Sequence, residues 1–422
     1  MKDEHQQLSR SDINLMAPAG SYESLAAAIQ AGANSVYFGV ERLNMRARSS
    51  ANFTLADMGQ IAKICQENGM ERYLTLNTVL FDSEIADMHR IVEAAKAAGV
   101  TAIIASDQSV INFANEAGVE VHISTQLNVS NLETLKFYAK FAPVIVLARE
   151  LNLNQVKYIH EQIAAQNIRG PRGNPVKIEM FCHGALCVAT SGKCYMSLHE
   201  SGFSANRGSC LQICRRSYLV TEKETGSELE IDHDYIMSPK DLCTIGFLDK
   251  MLQSGVRVFK VEGRARSADY VKKVCQCYNE AFEAIIEDSY SKDKIDKWIS
   301  ELSTVFNRGF WDGYYLGQRL GEWSKSYGSK ATRRKIYSAK ATNYFSNLGV
   351  AEFMVESGSI KTGADVMSIG PTPGVMELRV SQLRVDSGAA VQQVFKGPVF
   401  SMPVSGKVRR ADRLYLLEQI KK

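Results

Sequence analysis

The stretch INLMAPAGSYESLAAAIQAGANSVYFG, residues 13–39, contains one complete strand–helix–strand unit. Apolar residues dominate 13–17 and 35–39, and the segment between them has the apolar spacing that is typical of an amphipathic helix. Gly32 stands where that helix should end, because glycine readily adopts the left-handed conformation that closes many helices. The stretch therefore predicts two parallel strands joined by a helix.

This unit recurs along the first two thirds of the chain. Eight candidate strands lie at residues 13–17, 35–39, 72–77, 101–106, 119–124, 143–148, 176–181 and 257–262. A segment with helical periodicity follows each of them. Eight such units predict an α/β fold, a closed (β/α)8 TIM-like barrel. An open doubly wound sheet is the alternative, but no glycine-rich phosphate-binding motif follows the first strand.

The pattern changes after residue 287. From residue 336 onward, alternating apolar and polar residues are separated by turn residues, which predicts a small β-barrel. We therefore expect a barrel domain over residues 1–330, with a Cys-rich insertion at about 182–236, and a C-terminal domain over 331–422. Basic clusters at 333–335 and 407–413 favour a role in binding, and a structural cap on the barrel is the alternative.

The composition is that of an ordinary globular protein. The 422 residues are 45% hydrophobic and 23% charged, with a formal net charge of +4. No apolar run approaches the roughly 20 residues of a membrane span, and the first residues resemble neither a signal nor a transit peptide. The expected compartment is the cytoplasm, with no membrane partner.

Cysteines are concentrated in one segment. Five of the nine fall within residues 179–214, EMFCHGALCVATSGKCYMSLHESGFSANRGSCLQIC. Disulfides are disfavoured because no secretory signal opens the chain, and the paired C-x2-C knuckles of structural zinc sites are absent. If Cys210 and Cys214 share a helical turn, both sulfurs lie on one face and could ligate one centre. A cluster of iron and sulfide is the better fit to this segment.

Ten residues of this segment resemble the signature of the collagenase-like peptidase family: Glu179, Phe181, Gly184, Ala185, Leu186, Cys187, Gly192, Cys194, Met196 and Ser197. Other passages resemble the same family, and together they cover most of residues 13–320: LMAPAGSYESLAAAIQAGANSVYFG, NMRARSSANFT, TLNTVLFD, HISTQLNVSN, SPKDLC, FKVEGRARS and VFNRGFWDGYYLG. The form NRGSCLQICRR, with two cysteines, is most similar to the branch of the family that hydroxylates tRNA uridines at carbon 5.

The resemblance implies an oxygen-independent hydroxylation of a tRNA wobble uridine to 5-hydroxyuridine. It implies a [4Fe-4S] cluster held by Cys187, Cys194, Cys210 and Cys214, with Cys243 as an alternative fourth ligand. The implied partners are tRNA, a small-molecule hydroxyl donor or prephenate, and a paralogous subunit. Two rival classes stay open: a collagenase-like peptidase, and a protein that holds a cluster and only binds RNA. The motifs HExxH and GxSxG, which would support literal peptidase chemistry, are absent.

Polar residues gather where the predicted strands end, which is where the chemistry of such barrels is placed. Glu179, His183 and Glu262 are the candidate catalytic groups there. Arginines of the same region, whose guanidinium groups suit carboxylate or phosphate ligands, are the candidate substrate-binding residues: Arg149, Arg264, Arg46, Arg215 and Arg216. For Arg149 and Arg264, mutual ion pairs with Glu150 and Glu262 are the alternative.

Overall fold

The structure is a computed structural model that describes residues 8–48, 53–218, 221, 223–226, 237–324 and 328–420. Its first ten strands are β1 (Asn14–Pro18), β2 (Ser35–Phe38), β3 (Glu71–Leu76), β4 (Ala102–Ala105), β5 (Glu120–Ile123), β6 (Val144–Val146), β7 (Lys177–Gly184), β8 (Asp241–Cys243), β9 (Val256–Val261) and β10 (Phe310–Trp311). Strands β1 to β7 pair in parallel in chain order, and β9 closes the ring by pairing with both β7 and β1. The predicted closed barrel is confirmed.

Helices cover the outside of this barrel and follow the strands. They are α1 (Tyr22–Gln30), α2 (Asp57–Glu67), α3 (Ile85–Ala97), α4 (Gln108–Glu116), α5 (Leu132–Ala139), α6 (Leu153–Ala165), α7 (Met196–Ser201), α8 (Leu248–Gln253), α9 (Ala268–Ile286) and α10 (Lys292–Leu302). Short polar side chains begin several of them: Ser21 and Asp107 accept hydrogen bonds from the backbone N–H groups of Ser24 and Ser109. Gly32 has a φ of +70°, as expected at the end of α1.

Residues 238–255 do not form one continuous helix. Their sequence, SPKDLCTIGFLDKMLQSG, predicts a single helix that leads into the last barrel strand, but β8 lies in its first half and α8 only in its second. Strand β7 continues past Glu179, the last of its residues that pairs with β6. In this extension His183 and Gly184 pair antiparallel with Cys243 and Leu242 of β8. The hydroxyl and the backbone N–H of Thr244 both donate to the carbonyl of Cys182, which holds this connection against β7. Long-range pairing therefore overrides the local helical pattern.

The inside of the barrel changes character from one end to the other. Its buried middle layer is apolar and consists of Met16, Tyr37, Tyr73, Ala102, Ile104, Val144 and Val258. Towards the carboxyl ends of the strands this layer gives way to buried polar groups, among them Thr75, Glu179 and Lys260. The polar end is the face on which the βα connections and the Cys-rich insertion lie. Residues 219–220, 222 and 227–236 of that insertion lie outside the described residues.

The C-terminal region is antiparallel β-structure with a core of its own. Its strands are β11 (Arg333–Phe345), β12 (Val350–Val355), β13 (Ser359–Lys361), β14 (Asp365–Gly370), β15 (Gly374–Arg379), β16 (Leu383–Val385), β17 (Ala390–Val391), β18 (Gln393–Phe395), β19 (Val399–Pro403) and β20 (Arg413–Gln419). Eight of them form one sheet, and β13 pairs with β18 separately.

Two helices of the barrel anchor this region. The side chain of Gln30, at the end of α1, accepts a 3.0 Å hydrogen bond from the backbone N–H of Val375. Lys272, in α9, donates a 2.7 Å hydrogen bond to the carbonyl oxygen of the same residue. The antiparallel sheet is thus held directly against α1 and α9. Across the described residues, none of the helices is long and apolar enough to cross a membrane.

Candidate active site at the mouth of the barrel

A cavity of about 190 Å³ opens at the carboxyl ends of the barrel strands. One wall comes from strand ends and the loops that follow them, and the facing wall comes from the Cys-rich insertion. All four predicted cluster ligands line this cavity: Cys187, Cys194, Cys210 and Cys214. The structure therefore brings together residues that are spread over 28 positions of the chain, from 187 to 214.

Glycines let the insertion approach the barrel closely. Gly184 has a φ of +108°, and a Cβ atom there would lie 2.4 Å from the carbonyl oxygen of Glu262. Gly208 has a φ of +80°, and its Cβ would lie 2.3 Å from the carbonyl oxygen of Asn44. Any larger residue would push the insertion away from the strand ends. These two positions fix the distance between the cysteine wall and the barrel wall.

Cys210 and Cys214 do not share one helical turn, contrary to the geometry considered from their spacing. Gln212 lies between them in the left-handed conformation, with a φ of +54°. A single turn of 3-10 helix, Ile213–Arg215, begins only after it. Both cysteines still line the cavity, but they reach it from two separate turns of the backbone.

The surroundings of the cysteines are partly buried and cationic. Burial raises the pKa of the Cys214 thiol to about 11, an effect that Arg215 opposes and that the neighbouring Cys187, Cys210 and Cys194 reinforce. All four cysteines line the same cavity. Arg215 is held in place by hydrogen bonds of 2.6 and 2.7 Å to the carbonyl oxygens of Leu186 and Pro239. Its charge is therefore fixed beside the thiols.

Among the residues that the structure describes, no group of three or more His, Cys, Asp or Glu side chains is arranged to hold a single metal ion. The four cysteines are spaced around a shared cavity instead. Four thiols are a donor set that fits an iron–sulfur cluster.

The other cysteines lie away from this cavity. Cys182 and Cys243 are buried behind the mouth, where the Tyr278 hydroxyl donates to the carbonyl of Cys182 and lies 4.0 Å from the sulfur of Cys243. The alternative fourth ligand, Cys243, lies on β8 opposite His183 and is not among the lining residues. Cys65 and Cys277 are buried in the hydrophobic core.

Glu262 is the one carboxylate among the described residues that line the cavity. Its Oε1 lies 2.6 Å from a guanidinium nitrogen of Arg46, and the Tyr37 hydroxyl is 3.4 Å from its Oε2. Burial alone would raise the pKa of Glu262, but Arg46, together with Arg264 and Arg149, lowers it below its ordinary value. The carboxylate is therefore ionised at neutral pH. Its ion-pair partner is Arg46 and not Arg264.

Arg264 is buried and held by neutral groups. It donates hydrogen bonds of 3.0 Å to the hydroxyl of Thr75 and 2.9 Å to the side-chain oxygen of Asn44. Burial lowers its pKa to about 10, so the guanidinium still carries its charge at neutral pH. A Cβ atom added at Gly39 would lie only 2.2 Å from a guanidinium nitrogen of Arg264, so this side chain is tightly enclosed.

Arg149 joins the barrel to the insertion. It donates a 2.7 Å hydrogen bond to the hydroxyl of Ser191, and its guanidinium lies 5.3 Å from the centre of the Phe181 ring. Ser191 also accepts a hydrogen bond at its carbonyl oxygen from the amide of Asn128. Arg149 and Arg264 thus face the cavity with neutral partners. Together with Arg46 they place three cations around the single lining carboxylate, Glu262.

Two candidate catalytic residues do not line the cavity. Glu179 is fully buried below it, where one carboxylate oxygen lies 2.9 Å from Lys260 and the other has no hydrogen-bond partner. His183 is buried among the rings of Tyr270, Tyr278 and Phe310. Burial lowers the pKa of His183 to about 3, so its imidazole is neutral at pH 7.

Lys260 is a lining residue that the sequence analysis missed. It is buried, paired with Glu179, and its ammonium lies 4.7 Å from the centre of the Tyr37 ring. A signal for it was present, because side chains alternate along a strand and Val258 of the same strand faces the interior. A lysine two positions later must then point inward as well.

The remaining predicted arginines differ in their surroundings. Arg46 and Arg215 line the cavity. Arg216 is exposed and forms an ion pair with Glu200. Asn77 adds neutral polar atoms to the lining, since its amide nitrogen lies 3.3 Å from the Ser124 hydroxyl and 3.2 Å from the Gln126 side-chain oxygen.

Comparisons with known proteins place these residues in a wider set of sequences. The model of peptidase family U32 matches residues 20–325. A protein named collagenase from Porphyromonas gingivalis is 58% identical over 408 residues, which are 97% of this chain and 98% of that protein. A 23S rRNA 5-hydroxycytidine synthase from Escherichia coli is 33% identical over 317 residues, 74% of this chain and 46% of that protein. A tRNA hydroxylation protein from Bacillus subtilis is 31% identical over 324 residues, 74% of each chain.

Proposed function

The chain belongs to peptidase family U32, and we propose that within this family it is an iron–sulfur enzyme that hydroxylates a tRNA uridine at carbon 5. The observation that carries the proposal is the convergence of Cys187, Cys194, Cys210 and Cys214 on a cavity whose facing wall is polar and cationic. Relatives named for hydroxylation of tRNA and for synthesis of 5-hydroxycytidine in rRNA support the reaction class.

The four lining cysteines would hold a [4Fe-4S] cluster. Arg46 and Arg215 lie beside them, and these cations would offset the negative charge of four thiolates. When bound, the cluster supplies one-electron transfer at the edge of the cavity. Ligation requires deprotonated thiols, so cluster binding releases protons from side chains such as Cys214, whose pKa in the free protein is raised.

The residues of the barrel wall would bind and orient the substrate. Arg149 and Arg264 offer charged donors for a phosphate or carboxylate, and the side chains of Asn77 and Gln126 offer donors and acceptors for the edge of a base. Replacing hydrogen with hydroxyl at carbon 5 oxidises the base by two electrons, which the hydroxyl donor would take up as it gives its oxygen, and the hydrogen leaves carbon 5 as a proton that needs an acceptor. Ionised Glu262 is the lining carboxylate that can accept it.

Access to the cavity favours an unpaired nucleotide. A base at the bottom of a barrel mouth must leave its stack, and the energetic cost is lowest for a base that is already single-stranded. The loops of tRNA present such bases. This supports a uridine of a tRNA loop as the target, and the family resemblance implies the wobble position and a small-molecule hydroxyl donor.

A collagenase-like peptidase is the second candidate, because a relative that is 58% identical bears the name collagenase. The cavity argues against it: no histidine is among the described lining residues, so its serines and cysteines lack the usual activating base. A brown colour of the anaerobically purified protein, with broad absorption at about 400 nm, would support the cluster. A colourless protein that cleaves gelatin would support the peptidase.

We expect Arg149→Ala to lower hydroxylation about tenfold while the iron content is unchanged, because it removes a cation from the substrate wall without touching a cysteine. Arg149→Lys, which keeps the charge, is the matched control and should lose less. Iron analysis and single-turnover rates check both variants. Loss of iron in Arg149→Ala would instead make this residue a structural link to Ser191 of the insertion.

The two basic clusters of the C-terminal region, at 333–335 and 407–413, differ in how their charges are paired. Arg333, Arg334 and Lys335 each form an ion pair, with Glu377, Glu418 and Asp269 respectively. Lys407, Arg409 and Arg410 are exposed. The second cluster is therefore the better candidate for contact with a phosphate backbone.

Neutralising that second cluster, as Lys407→Gln with Arg409→Gln and Arg410→Gln, is expected to weaken tRNA binding and to flatten its dependence on salt. Each lost phosphate contact should reduce the slope of log affinity against log salt by roughly one. Exposed Lys361 and Lys396 of the same region, changed together to glutamine, serve as the control. Binding that is unchanged at both low and high salt would leave the C-terminal region as a structural cap.

A further inference from the structure

A second groove lies on the C-terminal sheet, away from the cysteines. It encloses about 510 Å³ and is lined by Tyr337, Lys340, Glu356, Ala411, Arg413 and Tyr415. The register of the sheet places these side chains together: Tyr337 is directly opposite Tyr415 across β11 and β20, and Lys340 is opposite Arg413. Two aromatic rings and two cations therefore form one patch, with a single carboxylate at its side.

The groove combines an apolar surface with positive charge. The two tyrosine rings are half-buried, their centres 5.8 Å apart at an interplanar angle of 65°, while Lys340 and Arg413 are exposed. Glu356 accepts a hydrogen bond from the Tyr337 hydroxyl, which holds that ring in position. The lining residues carry two cations and one carboxylate, and Glu23 lies near Arg413 outside the lining. Rings for stacking beside cations for phosphate are the features of sites that bind single-stranded nucleic acid.

The position of the groove relates it to the barrel mouth. Arg413 is directly opposite Ile369 of β14, and β14 contacts α1. The pKa of the Arg413 guanidinium is raised, first by a hydrogen bond with Tyr415 and also by the Glu23 carboxylate. Glu23 stands in the first turn of α1, which begins directly after the carboxyl end of β1. The groove thus lies beside α1, the helix that begins at the mouth of the barrel. The exposed cations Arg409 and Arg410 precede its wall residue Ala411.

We propose that this groove binds one unpaired nucleotide of the RNA substrate, with the base against Tyr337 and Tyr415 and the phosphate between Lys340 and Arg413. The inference rests on the proposed function, since it gives the tRNA a second point of attachment besides the cavity. Stacking tolerates any base, so the groove would add affinity and not sequence preference.

The test measures the affinity of the full-length protein for bulk bacterial tRNA and for a single strand of roughly 12 uridines. Tyr337→Leu and Tyr415→Leu should each weaken binding about tenfold, because each removes a stacking surface. Their salt dependence should stay unchanged, whereas Lys340→Gln and Arg413→Gln should each reduce the salt slope by roughly one. Iron content and the rate at saturating tRNA should stay at wild-type values.

Matched controls separate stacking from other effects. Tyr337→Phe and Tyr415→Phe keep the rings and should keep the affinity, which also shows that the hydrogen bond to Glu356 is not the cause. Phe395 is 63% exposed on the separate β13–β18 sheet, and Phe395→Leu should not change RNA binding.

The outcomes distinguish this inference from the proposed function. Wild-type binding and hydroxylation with unchanged affinity in both leucine variants would overturn the groove alone. Binding that depends on the groove, in a protein that leaves uridine unmodified, would support the groove and overturn the proposed reaction. If polyglutamate competed as well as RNA and the leucine variants lost both equally, the groove would be a site for acidic protein segments, and the inference would be wrong.

Discussion

Replacing any one of Cys187, Cys194, Cys210 and Cys214 with serine is expected to remove most of the bound iron and nearly all of the activity. All four line one cavity, and a cluster of this kind takes one thiolate per iron atom. The loss of activity should exceed the roughly 10- to 100-fold that follows removal of a residue supporting a ligand. Iron and sulfide analysis of anaerobically purified protein, with its visible spectrum, measures the effect.

The remaining cysteines supply the controls for this prediction. Cys65 and Cys277 are buried in the hydrophobic core, so alanine at either position should leave iron at the wild-type level. Cys243 is the sharper control, because it is the alternative fourth ligand but is buried on β8, outside the lining of the cavity. Full iron in Cys214→Ser together with its loss in Cys243→Ala would contradict the proposed set of ligands.

Lys260→Met is expected to lower the free energy of unfolding by about 3–5 kcal/mol, because it leaves the buried Glu179 carboxylate without its partner. Glu179 is fully buried, and the 2.9 Å contact with Lys260 is the ion pair that compensates its charge. Its second oxygen already lacks a hydrogen-bond partner, so little else can stabilise the charge. Chemical denaturation followed by circular dichroism measures the change.

A double variant tests the cause of this loss. Lys260→Met combined with Glu179→Gln removes both charges and should recover most of the stability, since the cost comes from an unpaired charge and not from lost packing. If the double variant is no more stable than Lys260→Met alone, the pair is not what stabilises the interior of the barrel. Activity measured on the folded double variant then reports whether Lys260 also binds substrate.

The barrel could be predicted from the sequence because each of its units is encoded locally. Apolar runs alternate with amphipathic segments, and residues such as Gly32 mark the ends of helices. The stretch 238–255 escaped prediction because β8 forms only through pairing with β7, about 60 residues earlier in the chain. Local periodicity carries no information about such a partner.

The candidate site was predicted in composition but not in geometry. The family resemblance named four cysteines that the structure places around one cavity, whereas the left-handed Gln212 that separates two of them gave no sign in the sequence. The ion pairs of Arg333 and Arg334 were also hidden, because their partners stand 44 and 84 positions further along the chain. Lys260 was accessible to sequence reasoning through strand alternation.

We propose that this chain adds an oxygen atom to a uridine of tRNA by means of the cysteine-lined cavity. The most direct test is mass spectrometry of nucleosides from tRNA of cells that lack the chain and of the same cells supplied with the wild type or with Cys214→Ser. We predict 5-hydroxyuridine, or a nucleoside derived from it, with the wild type and its absence in the other two samples. Identical tRNA nucleosides in all three samples would contradict the proposed hydroxylation of tRNA.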